Sequence, residues 1–402
     1  MRRVYMDANA TTPLLPEVFD AMRPYLLEHF GNASSIHQPG QYARAAVDHA
    51  REQMAGLLRC RASEIVFTSG GTESDNLALF GTLGFELGAG QHLITSTIEH
   101  HAVLHAAEAL EKRGVSVTFL PCTSAGLVEP EALRSALRPE TRLVSVMLAN
   151  NETGSGQPVA ELAGIAKAYS KDILVHTDGV QAAGKMAIDL SAKGPLKDVD
   201  LLSISGHKMY APQGTGVLFT RRNVRLAPLF HGGTHERQRR AGTENVAGIV
   251  ALGKAAEIAA GWLSDGAGPA ELAGLRDRFE QTLLREIAEM GVNGAGTERT
   301  PNTANLYFDH VEAEALVIAL DLKGLSVSGG SACQSGATEP SHVLTAMGLG
   351  PARARASVRF SMSRLTTAED VDLALALVPE AVGRLRSLSP TWKARERGLA
   401  AV

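Results

Sequence analysis

Leu201-Leu202-Ser203-Ile204 is a short apolar run that passes at once into Ser205-Gly206-His207-Lys208-Met209-Tyr210. It reads as a buried strand ending in a turn of small and polar residues, and that reading sets the pattern for most of the chain. The same kind of run recurs upstream as Glu64-Ile65-Val66-Phe67, His92-Leu93-Ile94-Thr95, Val115-Ser116-Val117-Thr118-Phe119, Leu143-Val144-Ser145-Val146-Met147 and Ile173-Leu174-Val175-His176. Helical patterns lie between the runs, for example Glu131 to Arg138 and Val159 to Tyr169. Alternating strands and helices predict an α/β fold on a mostly parallel mixed sheet. In such sheets a ligand sits beyond the carboxyl ends of the strands, so the residues just after each run are where chemistry belongs.

After about residue 260 the texture changes. A long helical stretch runs from Ala270 to Met290, followed by the run Asn305-Leu306-Tyr307-Phe308, a helix from Glu312, and the strand-like Ser357-Val358-Arg359-Phe360. This predicts a large domain over 16–260 and a smaller α+β domain formed by 1–15 and 261–402, the smaller one carrying a loop at about 328–340. By pattern alone the first dozen or so residues fit either domain.

Composition narrows the function classes. The 402 residues carry a net charge of −4, which gives no electrostatic case for nucleic acid or an anionic membrane as the main partner. No run of 18 consecutive apolar residues is present, and Met1 to Asp7 is too short and polar for a signal h-region. The three cysteines, Cys60, Cys122 and Cys333, form neither a CxxC pair nor a disulfide framework. A reducing, cytoplasmic location is the expectation.

Three of the strand ends carry complementary groups. Thr68 is followed by Ser69-Gly70-Gly71-Thr72-Glu73-Ser74-Asp75-Asn76 and a helical pattern. Glycines let the backbone approach an anion, and a helix N-terminus offers unpaired N–H groups, so this reads as a phosphate cradle with Thr72 as a candidate cap. Taken alone it is equally an ordinary Gly-rich turn. His176 is followed by Thr177-Asp178-Gly179-Val180-Gln181. Asp178 suits a protonated ring nitrogen, although a single Asp here is also a common turn residue. Lys208, after the run at Ile204, is placed to form a Schiff base, against the ordinary alternative of a solvated loop lysine. Phosphate, ring nitrogen and aldehyde carbon are the three handles of pyridoxal phosphate, and the three segments supply them in order. Glu99-His100-His101 follows another run, and an imidazole there suits ring stacking or proton transfer. A metal reading of the adjacent histidines fails for want of further ligands at recognisable spacing, so no metal site is expected.

Cys333 stands in Ser328-Gly329-Gly330-Ser331-Ala332-Cys333-Gln334-Ser335-Gly336, a small, polar, flexible stretch. It reads as an exposed reactive thiol on a mobile loop, whereas Cys60 and Cys122 have apolar neighbours and read as packing residues.

These residues together resemble the class V, fold-type I aminotransferase superfamily, and within it the NifS/IscS-type cysteine desulfurases. The resemblance runs from Tyr5-Met6-Asp7-Ala8-Asn9-Ala10-Thr11-Thr12-Pro13 to about Val382. It is carried by Gly31-Asn32-Ala33-Ser34-Ser35, Phe67 to Asn76, Asn150-Asn151-Glu152-Thr153-Gly154, Ser205 to Lys208, His231-Gly232-Gly233, Arg240-Ala241-Gly242-Thr243, and Gly330-Ser331-Ala332-Cys333 running on to Leu344. It implies a homodimeric pyridoxal 5'-phosphate enzyme that converts L-cysteine to L-alanine. Lys208 would hold the cofactor, His100 would stack on its ring, Asp178 would meet the ring nitrogen and Gln181 would lie near the phenolic oxygen. Gly71, Thr72, Ser205 and His207 would contact the phosphate, with Thr243 reaching in from the other subunit. Asn32, Asn151 and Arg359 would lie on the substrate side. Cys333 would carry sulfur as a persulfide to an acceptor such as an iron–sulfur scaffold, and is a candidate transient cluster ligand.

The sequence departs from the family at Gln334, where Thr is common, and at Gly71, where many relatives have Ala. The stretch Thr391 to Arg397 does not match the tail that docks scaffold proteins in relatives. Selenocysteine lyase or aminotransferase chemistry on the same fold is the alternative activity, and a non-catalytic partner-binding scaffold the alternative class.

Overall fold

The computed structural model describes residues 2–84, 90–329 and 340–396. Within them the strands are Val4–Tyr5 (β1), Ile65–Thr68 (β2), His92–Ser96 (β3), Ser116–Leu120 (β4), Thr141–Ser145 (β5), Leu174–Asp178 (β6), Leu201–Ser205 (β7), Gly216–Thr220 (β8), Met290–Val292 (β9), Thr303–Phe308 (β10), Leu325–Ser326 (β11), Ser328–Gly329 (β12) and Ser357–Ser361 (β13). Seven of them form one sheet in the order β2-β8-β7-β6-β5-β3-β4. Its pairings are parallel except for β8, which runs against both β2 and β7. This is the expected α/β architecture. Strands β2, β3, β7 and β8 are buried along their whole length, which is why they read as unbroken apolar runs rather than alternating ones.

β8 is a strand that the reading by runs does not anticipate. It opens on Gly216, where a Cβ would lie 2.6 Å from the backbone of Gly70. That close approach brings the turn after β2 against the end of β8. The helices Gln38–Leu58 and Val246–Leu263 pack together, and a Cβ at Gly253 would stand 2.7 Å from the Cα of Ala50. By length and composition alone Val246–Leu263 is long and apolar enough to cross a membrane, but it places Ala251, Leu252, Ala255, Ala256 and Ala259 in the core beside the large sheet.

A second, antiparallel sheet has the order β12-β13-β10-β9, and β1 pairs with β11 in parallel. Its core gathers Phe279, Leu306, Phe308, Phe360 and Val371, with the rings of Phe279 and Phe360 5.0 Å apart. The helical stretch expected to reach Met290 ends at Glu286. Ile287 is extended, Glu289 is left-handed (φ 51°), and Met290 already pairs with Phe308. Val343, Leu344, Met347 and Ala354, though far along the chain, pack in the core of the large sheet.

The N-terminal segment straps the two sheets together. Val4 and Met6 lie in the core of the second sheet. Asn9, Ala10 and Thr12 meet the loop after β7, where the Thr12 N–H and hydroxyl both donate to the His207 carbonyl, at 2.8 and 2.9 Å. The carboxyl ends of β2, β3, β5, β6 and β7 therefore share one edge of the sheet with this strap across it.

Candidate active site

A cavity of about 490 Å³ opens at that edge. Its wall is drawn from the loop after every one of those five strands, from the strap, and from Arg359 on β13. Of the residues singled out in the sequence, the structure brings Gly71, Thr72, His100, Asn151, Asp178, Gln181, Ser205, His207, Lys208 and Arg359 to it.

At one end lies the N-terminus of the helix Gly71–Leu83. The cap is Gly70, so Thr72 stands inside the first turn rather than capping it. The first-turn N–H groups of such a helix have no intrahelical partner and suit an anion. A Cβ at Gly71 would meet Val180 Cγ2 at 2.8 Å and Ser205 Cβ at 3.4 Å, so the backbone here is closely framed, and a methyl group would require Val180 to shift. Nearby, Glu73 takes a hydrogen bond from the Ser69 N–H (2.8 Å) and pairs with Arg240 (2.9 Å). Burial pushes its carboxyl up, but Arg240 and Ser69 outweigh this and hold it below the ordinary value.

In the middle, Asp178 ends β6 and accepts the Val180 N–H at 2.8 Å. Burial pushes its carboxyl up to about 6, opposed by the Val180 N–H and by Lys208. A cationic group in the cavity would relieve that burial, as a protonated pyridine nitrogen requires. Beneath it stand two further buried carboxyls that the sequence reading did not single out. Asp75 is raised well above its ordinary value by burial and then by Asp178, and its Oδ1 has no hydrogen-bond partner. Glu99 is pushed up to about 8, chiefly by burial, against hydrogen bonds from the Ser96 hydroxyl (2.6 Å) and the Met147 N–H (2.9 Å).

Glu99 yields a direct test. A carboxyl with a raised folded-state pKa keeps its proton in the native state after the unfolded chain has lost it. Its contribution to stability is fully present below about 4.5, the ordinary value, and is lost as pH rises toward about 8. Glu99→Gln cannot titrate and preserves the shape of the protonated form. The melting temperature of the cofactor-free variant should therefore fall less than that of the wild type as pH rises from about 5 to about 8. Buried histidines titrate in both proteins alike and cancel in the comparison. Parallel curves would show that Glu99 is ionised throughout.

At the far end Lys208 Nζ lies 2.6 Å from the carbonyl oxygens of Asn9 and Ala10. It follows a single tight turn, Gly206–Lys208, directly after β7. His100 caps the helix His101–Glu111, its Nδ1 accepting the Ala102 N–H at 3.2 Å, so its neutral form carries the proton on Nε2. Burial, then Lys208 and the neighbouring His101, His342 and His105, hold its pKa down at about 4. It is thus a neutral ring at physiological pH. Arg359 spends two N–H groups on Asn151 O (2.9 Å) and Asp7 (2.8 Å), and its Nε has no partner. Asn151 Oδ1 is likewise buried and unpaired. Unpaired polar atoms of this kind mark a wall built for a polar guest.

Asn32 and Thr243 are exposed and do not line the cavity, and Cys333 lies outside the described residues. Sequence reasoning missed Asn9, Asp7, Asp75, Glu99 and Lys185. Tyr5 to Pro13 entered the sequence reading only as part of the family resemblance, and nothing in it assigned Asp7 or Asn9 to the site.

The chain matches the family described as aminotransferase class-V over residues 4–374. It is 47% identical over 389 residues to a cysteine desulfurase IscS of Methanosarcina thermophila, covering 97% of this chain and 94% of the relative. A cysteine desulfurase IscS of Dictyoglomus turgidum is 45% identical over 400 residues, 98% of this chain and 99% of the relative. Among solved structures, a NifS-like protein superposes with a TM-score of 0.87 at 36% identity, over 95% of this chain and all of its own. A structure described as SspA in complex with cysteine superposes with a TM-score of 0.78 at 35% identity, over 90% of this chain and 99% of its own.

Proposed function

The chain belongs to the class-V aminotransferase family, among its cysteine desulfurases, and from that premise we propose that Cys333 takes the sulfur of L-cysteine and hands it to a protein acceptor. The enzyme is a pyridoxal-phosphate-dependent cysteine desulfurase. The observation that carries the proposal is the arrangement of the cavity. A closely framed helix N-terminus, a buried strand-end carboxyl and a strand-end amine line one space, and both flanks of the 330–339 segment are fastened beside it. On one flank Ser328 pairs with Arg359. On the other, His342 Nε2 meets the Glu99 carbonyl at 2.9 Å, and the Ser341 hydroxyl meets Glu152 at 2.6 Å.

Gly71, Thr72, Ser205 and His207 would hold the phosphate, Asp178 the ring nitrogen and Lys208 the aldehyde carbon. When bound, pyridoxal phosphate supplies an electron sink for charge developing at the α-carbon of the substrate. Arg359 and Asn151 offer an unpaired Nε and Oδ1 on the substrate side. The amine of Lys208 would move the α-proton of the substrate, with His100 beside it as a neutral ring. The Cys333 thiolate then attacks the substrate sulfur. A sulfur–sulfur bond forms, the carbon–sulfur bond breaks with its electron pair staying on carbon, carbon takes a proton, and alanine leaves.

The complex of SspA with cysteine on the same fold and the relatives named IscS support this substrate and an iron–sulfur scaffold among the acceptors. Thr243 is exposed and does not line the cavity, and Phe30 and Ile36 are 83% and 91% exposed on either side of Asn32. Apolar exposure of that extent supports a homodimer that brings this stretch and Thr243 to a second copy. A cytoplasmic setting suits the free thiol.

Incubation with L-cysteine and a reductant should release alanine and sulfide in equal amounts, with no requirement for a keto acid. Transfer of the amino group to an added keto acid, without sulfide, would make the enzyme an aminotransferase instead.

A further inference from the structure

Lys185 is a buried lysine just behind the cavity, only 7% exposed. Its Nζ donates to Gln181 Oε1 at 2.7 Å and to Asn9 Oδ1 at 3.2 Å. Both acceptors are carboxamides, whose oxygen and nitrogen ends have nearly the same shape. A lysine in this position offers them donors, so it draws the oxygen end of each toward itself.

For Gln181 the consequence is specific. With Oε1 held by Lys185, Nε2 gives one N–H to the Asn9 carbonyl at 3.1 Å. Its other N–H has no protein partner among the described residues, and Gln181 lines the cavity. Asn9 is fixed just as firmly. Its Oδ1 also takes Asn302 Nδ2 (2.9 Å), its Nδ2 reaches the Asn151 carbonyl (3.1 Å) and Thr303 (2.9 Å), and its own carbonyl receives Lys208 Nζ at 2.6 Å. Burial, then the charges of Lys208 and Arg359, hold Lys185 well below the ordinary ammonium range, and His207 feels it in turn. So costly a burial of an amine calls for a compensating role.

The shape of pyridoxal phosphate indicates what Gln181 would meet. Its hydroxyl flanks the aldehyde carbon on the side away from the phosphate arm. With the phosphate at Gly71, the ring nitrogen at Asp178 and the aldehyde carbon at Lys208, that hydroxyl belongs on the stretch of wall between Asp178 and Lys208. Gln181, three residues after Asp178 and joined to Lys208 through the Asn9 carbonyl, stands there.

We propose that Lys185 is a positioning residue for this reaction: it locks the Gln181 carboxamide with Nε2 toward the cavity, so that the ring hydroxyl of the bound cofactor meets a donor and is held ionised. The inference rests on the cofactor reading above. A donor to the ionised form lowers the pKa at which the lysine-linked cofactor loses its proton, and the visible absorption band reports that step.

The test is a pH titration of the visible band in holoenzyme carrying Lys185→Met, Gln181→Met or both. Each single variant should shift the midpoint upward by about one unit, a tenfold change in the proton equilibrium. The double variant should shift it no further, because both changes remove the same contact. A Lys185→Met midpoint equal to that of the wild type, or shifts that add in the double variant, would overturn the proposal. Lys185→Ala, read in the same way, serves if methionine prevents folding. A wild-type protein that shows no visible band with added cofactor would instead defeat the cofactor reading itself, so the two failures are distinguishable.

Discussion

Lys208→Ala should leave a folded protein that no longer holds the cofactor covalently and makes alanine from L-cysteine at least about 10²–10⁴-fold more slowly, the usual worth of a positioned proton-transfer group. Among the described residues no other lysine lines the cavity. Lys185 does not line the cavity and is committed to Gln181 and Asn9. Folding should survive, because the Asn9 carbonyl keeps its hydrogen bond from Gln181 Nε2 and Ala10 borders the open cavity. The readouts are the visible spectrum with added pyridoxal phosphate and alanine formation. A variant whose cofactor stays attached to the denatured chain after borohydride reduction, and which retains near-normal turnover, would place the covalent anchor elsewhere.

The second large effect is expected at Cys333 and differs in kind. Cys333→Ala should bind cofactor and L-cysteine with normal spectra, yet sulfide and alanine should fall to background. Neither other cysteine can stand in. Burial pushes the Cys60 thiol up to about 12, so that only about one in 10⁵ is ionised at pH 7, and burial raises Cys122 as well. Cys60 packs against the core of the large sheet and lines a different pocket, with Arg59 and Leu190, from the cavity that Lys208 lines. Full sulfide release by Cys333→Ala would mean that sulfur leaves by a route needing no protein thiol.

Much of the fold was legible because strands such as β2, β3 and β7 are buried along their whole length and so announce themselves as apolar runs. The parallel strands lead their loops to one edge, and reading the residues after each run therefore found Gly71, His100, Asp178 and Lys208 together. β8 escaped because it starts on a glycine whose purpose, closeness to Gly70, depends on a strand some 150 residues earlier. The helix expected to run to Met290 kept its apolar texture past Glu286 because β9 is apolar too, and only pairing with β10 tells them apart. Asn9 and Lys185 were hidden for a different reason. Their partners lie far apart in sequence, as when Asn9 meets Asn302 and Thr303, and nothing local in Gly184-Lys185-Met186 distinguishes this lysine from a solvated one. Asp75 and Glu99 read as ordinary polar residues at helix and strand ends, and their raised pKa values arise chiefly from burial, with the charge of Asp178 adding to it.

The central claim is that L-cysteine sulfur is transferred onto Cys333 by chemistry seated at Lys208. Incubating the holoenzyme with L-cysteine, blocking free thiols, and measuring the mass of the proteolytic peptide that contains Cys333 tests it most directly. The peptide should gain one sulfur atom in the wild type and none in Lys208→Ala. An unmodified Cys333 peptide from an enzyme that is releasing alanine, or an added sulfur found on Cys60 or Cys122 instead, would contradict the account.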